Sequence, residues 1–440
     1  MHMKLVVAGL MAAAGAGGAL AWQAQPARPI ASAPAPAPRA WPAVQALADR
    51  YVAENKAVGI VIAVAQGDVA PTFASAGRIA EEPTAAKADP DSLWRVYSMT
   101  KPITGMAAML LVEDGKLKLD QPVADFIPGF GRMTVATDPE KSLAGVPATS
   151  PVTVRELLTH TSGLSYSIMA KGALLKETER LGVLPGAINA QIEAQMRPKR
   201  PTTLAGFADN AAKLPLVAQP GTKWSYSIGL DVAARVIEVA SGMPFERFVQ
   251  TRLLDPLRMT STVWRVKPGD VNRFATNYVW MGDNRVPFDP AATSVYLQPP
   301  SFPYGGAGLV ASARDYDRFL HMLANLGTLD GARVMKPETA RLAMSNLMPP
   351  GVTFQGLGQG TGGTQGANQG FGAGGTVYLA DGPDSPGKGT YGWGGAAGTI
   401  AFVNPVTKMR VTAMVNYFPA EKWPLRQDIA RAIAADLARR

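Results

Sequence analysis

Ser98 and Lys101 stand three residues apart in the stretch Tyr97-Ser98-Met99-Thr100-Lys101-Pro102. Residues at that spacing share a helix face, so an amine comes within reach of a hydroxyl. A lysine so placed can take the serine proton while the oxygen attacks an acyl carbon. Pro102 lacks the N–H that an interior turn needs, which sets a helix start close to Ser98. The positive end of the helix dipole then faces the reacting atoms. Ile103–Val112 reads as the buried body of that helix. The same spacing also occurs in any amphipathic helix with a serine cap and a solvated lysine, so the rest of the chain must decide.

Other catalytic chemistries are largely excluded by composition. The chain has no cysteine, which removes a thiol nucleophile, a disulfide framework and a lipid-bearing cysteine. Its histidines are His2, His160 and His321, too few for a histidine-rich zinc site, and no metal or organic cofactor is implied. No Gly-x-Ser-x-Gly elbow exists; Ser225-Tyr226-Ser227-Ile228-Gly229 fails at its first position. His321 sits in the helical run Arg318–Met322 and reads as a packed or surface residue. A serine hydrolase without a histidine base needs lysine or tyrosine, activated by burial or a neighbouring cation.

The elements that would position such a site can be read from the hydropathy pattern. With 440 residues, 47% hydrophobic and 18% charged, the chain can bury a large core. Met1-His2-Met3-Lys4, an apolar run to Leu20 and the small-x-small Ala19-Leu20-Ala21 read as a cleaved leader over 1–21. That leads to the expectation of a periplasmic or secreted protein with no stable membrane insertion after cleavage. Residues 22–42 read as an Ala/Pro-rich linker and 43–440 as the functional domain. The net charge of +9 is scattered rather than clustered, which speaks against a nucleic-acid partner.

A helix is expected over Val44–Asn55, with strands over Val58–Ala65 and Thr72–Gly77. Helices over Val154–His160 and Asp231–Ser241 stand out in a mostly helical lobe at about 120–300. Strands at Thr376–Ala380, Thr399–Asn404 and Met409–Tyr417 precede a last helix over Leu425–Arg439. Strands at both ends imply one sheet assembled from about 43–120 and 300–440, with a cleft against the inserted lobe. Gly351–Gly375, rich in glycine, glutamine and threonine, reads as a surface loop.

Four segments in order carry a family resemblance: Trp94–Pro102, Leu157–Leu164, Pro220–Ser227 and Gly305–Leu309. They resemble the class C β-lactamase-like serine hydrolases. The resemblance implies an α/β (α+β) β-lactamase/transpeptidase-like fold, an antiparallel sheet flanked by helices with an inserted helical lobe. It makes Ser98 the acylated nucleophile, with Lys101 and Tyr226 as its proton-transfer pair and the formal base left open between them. His160 resembles a fixed family position with a structural role. Two departures separate this chain from the lactamases. Ile228 stands where they carry an asparagine, and Trp393-Gly394-Gly395 replaces their Lys-Thr-Gly. A lost charge-assisted contact weakens binding by about 1.5–3 kcal/mol. Trp-Gly-Gly resembles the family VIII carboxylesterases instead. On that resemblance Trp393, Gly394, Gly395 and Ile228 would contact a small, short-acyl ester, and the N–H groups of Ser98 and Ala396 would form the oxyanion hole. The rival readings are a β-lactamase or D-alanyl-D-alanine carboxypeptidase, and a non-catalytic penicillin-binding-like sensor.

Overall fold

The computed structural model describes residues 39–356, 368–382 and 385–439. The expected leader, and all but the end of the expected linker, lie outside the described residues. Helix α1 (Pro42–Ala53) precedes strands β1 (Gly59–Gln66) and β2 (Thr72–Gly77). A 3-10 turn at Tyr97–Met99 leads into α2 (Thr100–Glu113), then α3 (Val154–Thr159), α4 (Gly229–Ser241) and α5 (Ala313–Ala324). Strands β3 (Gln369–Phe371), β4 (Thr376–Tyr378), β5 (Tyr391–Gly394), β6 (Ile400–Asn404) and β7 (Met409–Met414) follow, and α6 (Leu425–Ala438) ends the fold.

The sheet has seven strands in the order β3-β4-β5-β6-β7-β1-β2, every pair antiparallel. The first strands of the domain therefore pair with the last, as expected from the two distant strand regions. Alternation along each strand divides the sheet faces. Ile60, Ile62, Val64, Val411 and Ala413 pack with α1 and α6 residues such as Leu47, Tyr51 and Ile429. Val61, Ala401, Val403, Met414 and Trp393 belong to the larger core that holds α2 and α5. Helix α2 is buried from Thr100 through Leu111. Pro102 falls in its first turn, where a missing N–H leaves no intrahelical bond unmade.

Three expectations change. The run Met409–Tyr417 is not one strand: β7 stops at Met414, and Tyr417–Phe418 pairs in parallel with Asn277–Met281 in a separate sheet. That sheet includes the hairpin Asn277–Met281 with Asn284–Asp289, inside the region read as helical. Gly351–Gly375 is not all surface loop: Gln369–Phe371 is a buried strand, and Phe371 is fully enclosed by aromatic rings. Its glycines masked one apolar residue whose burial depends on distant partners.

Trp94–Arg95 pairs with Val310–Ala311 just before the nucleophile turn, and Arg95 is wholly buried. Its Nε donates to Asp289 Oδ2 at 2.8 Å, Nη2 donates to Ser294 Oγ at 2.9 Å, and Nη1 donates to the Ala275 carbonyl. The guanidinium lies over the Phe274 ring at 4.0 Å. Removing one partner of such a pair leaves an uncompensated charge. Asp289→Ala is expected to destabilise the fold by about 3–5 kcal/mol, read from the urea denaturation midpoint. A change below about 1 kcal/mol would mean that the pair is as weak as an exposed one.

Candidate active site

Ser98 sits at the centre of the 3-10 turn, partly exposed, while Lys101 is fully buried one turn along. Ser98 Oγ lies 2.7 Å from Tyr226 Oη, and Lys101 Nζ donates to Ser98 Oγ at 3.2 Å. Nζ also donates to the Gly306 carbonyl at 2.8 Å and lies 4.7 Å from the centre of the Tyr226 ring. The residues quoted for the first, third and fourth family segments thus meet around the Lys101 amine. A nucleophilic hydroxyl with two groups able to relay its proton is the arrangement required for acyl transfer.

Each member is held by a separate device. Tyr97 adopts φ of 40°, a left-handed conformation that a bulky side chain rarely takes. Asn277 Nδ2 donates to its hydroxyl at 3.1 Å, and the ring packs against Tyr296 and Phe418. That residue turns the chain so that Ser98 leaves the sheet and enters α2. The segment 220–228 carrying Tyr226 is stitched to His160–Ser165: Ser225 N–H donates to the His160 carbonyl at 2.8 Å and Ile228 N–H to the Ser165 carbonyl at 3.2 Å. His160 itself is enclosed, with Nδ1 accepting the Ser227 N–H at 3.2 Å. Its role is structural, as expected. Burial, with the Lys101 charge second, holds its pKa far below the usual imidazole range.

Trp393 lies on β5 with its ring 5.8 Å from that of Tyr226 and 5.3 Å from that of Phe371. Trp224 and Phe354 extend this aromatic wall. Gly394 is half-buried, Gly395 is buried and Ala396 is exposed in the turn that follows β5. A Cβ on Gly395 would collide with the Val96 carbonyl, so the turn can approach the nucleophile segment only with glycine there. Ile228 is buried and lines a small cavity with Leu164, Leu174, Thr178, Val183 and Leu214 in the helical lobe; the lining includes none of Ser98, Lys101, Tyr226 or Trp393. His321 is a surface residue paired with Asp68 at 2.6 Å. Among the described residues no cluster of acidic or histidine side chains could hold a metal ion.

Sequence reasoning missed Tyr166 and Asp231, and quoted Gly306 within a family segment without giving it a role. Tyr166 places its ring 5.6 Å from Lys101 Nζ and 5.6 Å from the Tyr226 ring. Gly306 supplies the carbonyl for Lys101, and Asp231 Oδ1 accepts the Gly306 N–H at 2.8 Å. A carboxylate one turn beyond Tyr226, at the start of an apolar helix, was the available signal for Asp231.

This geometry belongs to a known class. The chain is a member of the Beta-lactamase family, whose sequence pattern matches residues 44–435, and its sheet and helices form the β-lactamase/transpeptidase-like fold. It is similar to Esterase EstB of Burkholderia gladioli, 30% identical over 392 residues that cover 85% of this chain and 89% of the relative. The solved structure of EstCE1, a hydrolase with promiscuous acyltransferase activity, matches at a TM-score of 0.70 and 25% identity, covering 89% of this chain and 97% of its own. Unliganded simvastatin synthase LovD of Aspergillus terreus matches at a TM-score of 0.71 over 91% of this chain and 98% of its own; at 22% identity it speaks for the fold alone. The chain is thus a serine hydrolase of the Beta-lactamase family with esterase and acyltransferase relatives.

The depressed His160 has a measurable consequence. Below about pH 6.5 the unfolded chain binds a proton at this position that the folded chain refuses, so folding loses stability as the pH falls. The contribution is up to about 1.4 kcal/mol per pH unit. His160→Gln should make stability fall less steeply between about pH 6.5 and 5 in paired urea titrations. Equal slopes in the two proteins would contradict a neutral buried His160.

Proposed function

We propose that this protein is a serine carboxylesterase that cleaves small, short-acyl esters through an acyl-enzyme on Ser98. The observation that carries the reading is Ser98 Oγ within hydrogen-bond reach of both Tyr226 Oη and Lys101 Nζ, at 2.7 and 3.2 Å. Ser98 Oγ bonds to the ester carbon, its proton passes to the Lys101–Tyr226 pair, and the carbonyl electrons move onto oxygen. The Ser98 and Ala396 N–H groups would hold that oxyanion, the kind of contact that is often the largest electrostatic contribution to catalysis. In support, the Ala396 N–H has no hydrogen-bond partner among the described residues, and its turn abuts Val96. The pair then protonates the leaving alcohol, and water repeats the sequence to free the acid.

Trp393 supports an ester over a lactam. It sets an aromatic ring where the lactamases would carry a lysine to meet a substrate carboxylate. Similarity to Esterase EstB supports the same choice. A second reading, transfer of the acyl group to an alcohol in place of water, is favoured by the similarity to EstCE1. Export to the periplasm or medium through the 1–21 leader remains part of the proposal.

The test pairs p-nitrophenyl butyrate with nitrocefin, each with wild type and Ser98→Ala. Butyrate turnover far above nitrocefin cleavage, both abolished by a folded Ser98→Ala protein, is the expected result. Efficient nitrocefin cleavage, or butyrate turnover that survives the substitution, would overturn the reading.

A further inference from the structure

Asp231 lies in the first turn of α4 and is fully buried. Its Oδ1 accepts the Gly306 N–H at 2.8 Å, and the carbonyl of the same glycine accepts Lys101 Nζ at 2.8 Å. One glycine thus joins a buried carboxylate to the buried amine beneath Ser98. Asp231 Oδ2 has no hydrogen-bond partner among the described residues. A Cβ on Gly306 would sit 2.5 Å from that oxygen, so the bridge admits only glycine. Thr104 fastens the neighbouring residue, its hydroxyl donating to the Gly305 carbonyl at 2.6 Å.

A buried carboxylate persists as an anion only where charge or donors compensate it. Burial pushes the Asp231 carboxyl up to about 6, while the Lys101 charge and then the N–H groups of Gly306, Asp231 and Gly305 pull it back. The groups that face it are few. From α2 comes Lys101; from the segment after α3 comes Tyr166, whose phenol is pushed well up by burial, by Asp231 and by Tyr226. His160, beyond Lys101, is held neutral. Lys101 is the one cation in this set.

We propose that Asp231 is the buried counter-ion of Lys101, a positioning residue that acts through Gly306 to hold the lysine aimed at Ser98. The amine so held donates to Ser98 Oγ at 3.2 Å and lies over the Tyr226 ring at 4.7 Å. When Ser98 Oγ bonds to the acyl carbon, its proton passes to the Lys101–Tyr226 pair, which later returns it to the leaving alkoxide. The inference rests on the reading of Ser98, Lys101 and Tyr226 given above.

The first test needs no substrate, so it stands apart from the esterase reading. Denaturation midpoints are compared for wild type, Asp231→Asn, Lys101→Met and the double variant. Each single change strands one buried charge or its partner, and the double change removes both. The double variant should be more stable than the sum of the single losses predicts. If Asp231→Asn alone does not fold, recovery of folding in the double variant supports the pair and failure to recover overturns it. Additive losses also overturn it.

The second test reads catalysis on p-nitrophenyl butyrate against pH. Wild-type activity should be present above about pH 6 and fall below it, as Asp231 takes a proton. Asp231→Asn should keep KM within about twofold, lower kcat about tenfold or more, and lack that acid limb. The same limb in the variant would overturn the role, because a merely structural residue would leave it in place.

Discussion

Lys101 carries its amine into the protein interior, and that burial constrains everything around it. The amine reaches no water, so its protein neighbours must satisfy it: the Ser98 hydroxyl, the Gly306 carbonyl and the faces of Tyr226 and Tyr166. Those four contacts come from four separate segments of the chain. Keeping them together fixes the distance from α2 to the loop at Gly305–Leu309, to α4 and to the segment after α3. Thr100, Thr104 and Met99 tighten the same junction, through bonds to Leu309 N–H, the Gly305 carbonyl and the Tyr316 hydroxyl. The Ser98–Lys101–Tyr226 cluster is therefore a structural hub, and substitutions at Lys101 act on the packing as well as on the proposed chemistry.

An aromatic wall borders this cluster. β5 brings Trp393 against Tyr226, and the rings of Phe371, Trp224 and Phe354 continue from it. A polar, charged floor faces an aromatic side. The proposed substrate, an uncharged ester with a small acyl group, would suit that division better than one that needs a cation for its carboxylate. The sheet makes this possible because β5 pairs with β4 only as far as Gly392, while Trp393 and Gly394 pair with β6 alone.

Much of this was legible before any coordinates. Ser98, Lys101 and Tyr226 were singled out because their segments carry a family pattern, and the structure brings the three side chains together. The pairing of Gly59–Gln66 with the C-terminal strands followed from β-branched runs at both ends of the domain. The misses share one cause: long-range contact. Asp231 looked like an ordinary first-turn acid, whose partner Gly306 lies 75 positions away. Phe371 was hidden in a glycine-rich stretch that local composition assigns to a loop. Met409–Tyr417 was read as one strand because hydropathy does not reveal that its last residues pair with Asn277–Met281.

Covalent labelling tests the central claim most directly. The folded protein is treated with a fluorophosphonate, digested, and its adduct located by mass spectrometry while ester turnover is followed. A single adduct on Ser98, formed in step with loss of turnover, is the predicted result. Loss of turnover with the adduct on another residue, or full turnover with Ser98 modified, would contradict the acyl-enzyme account.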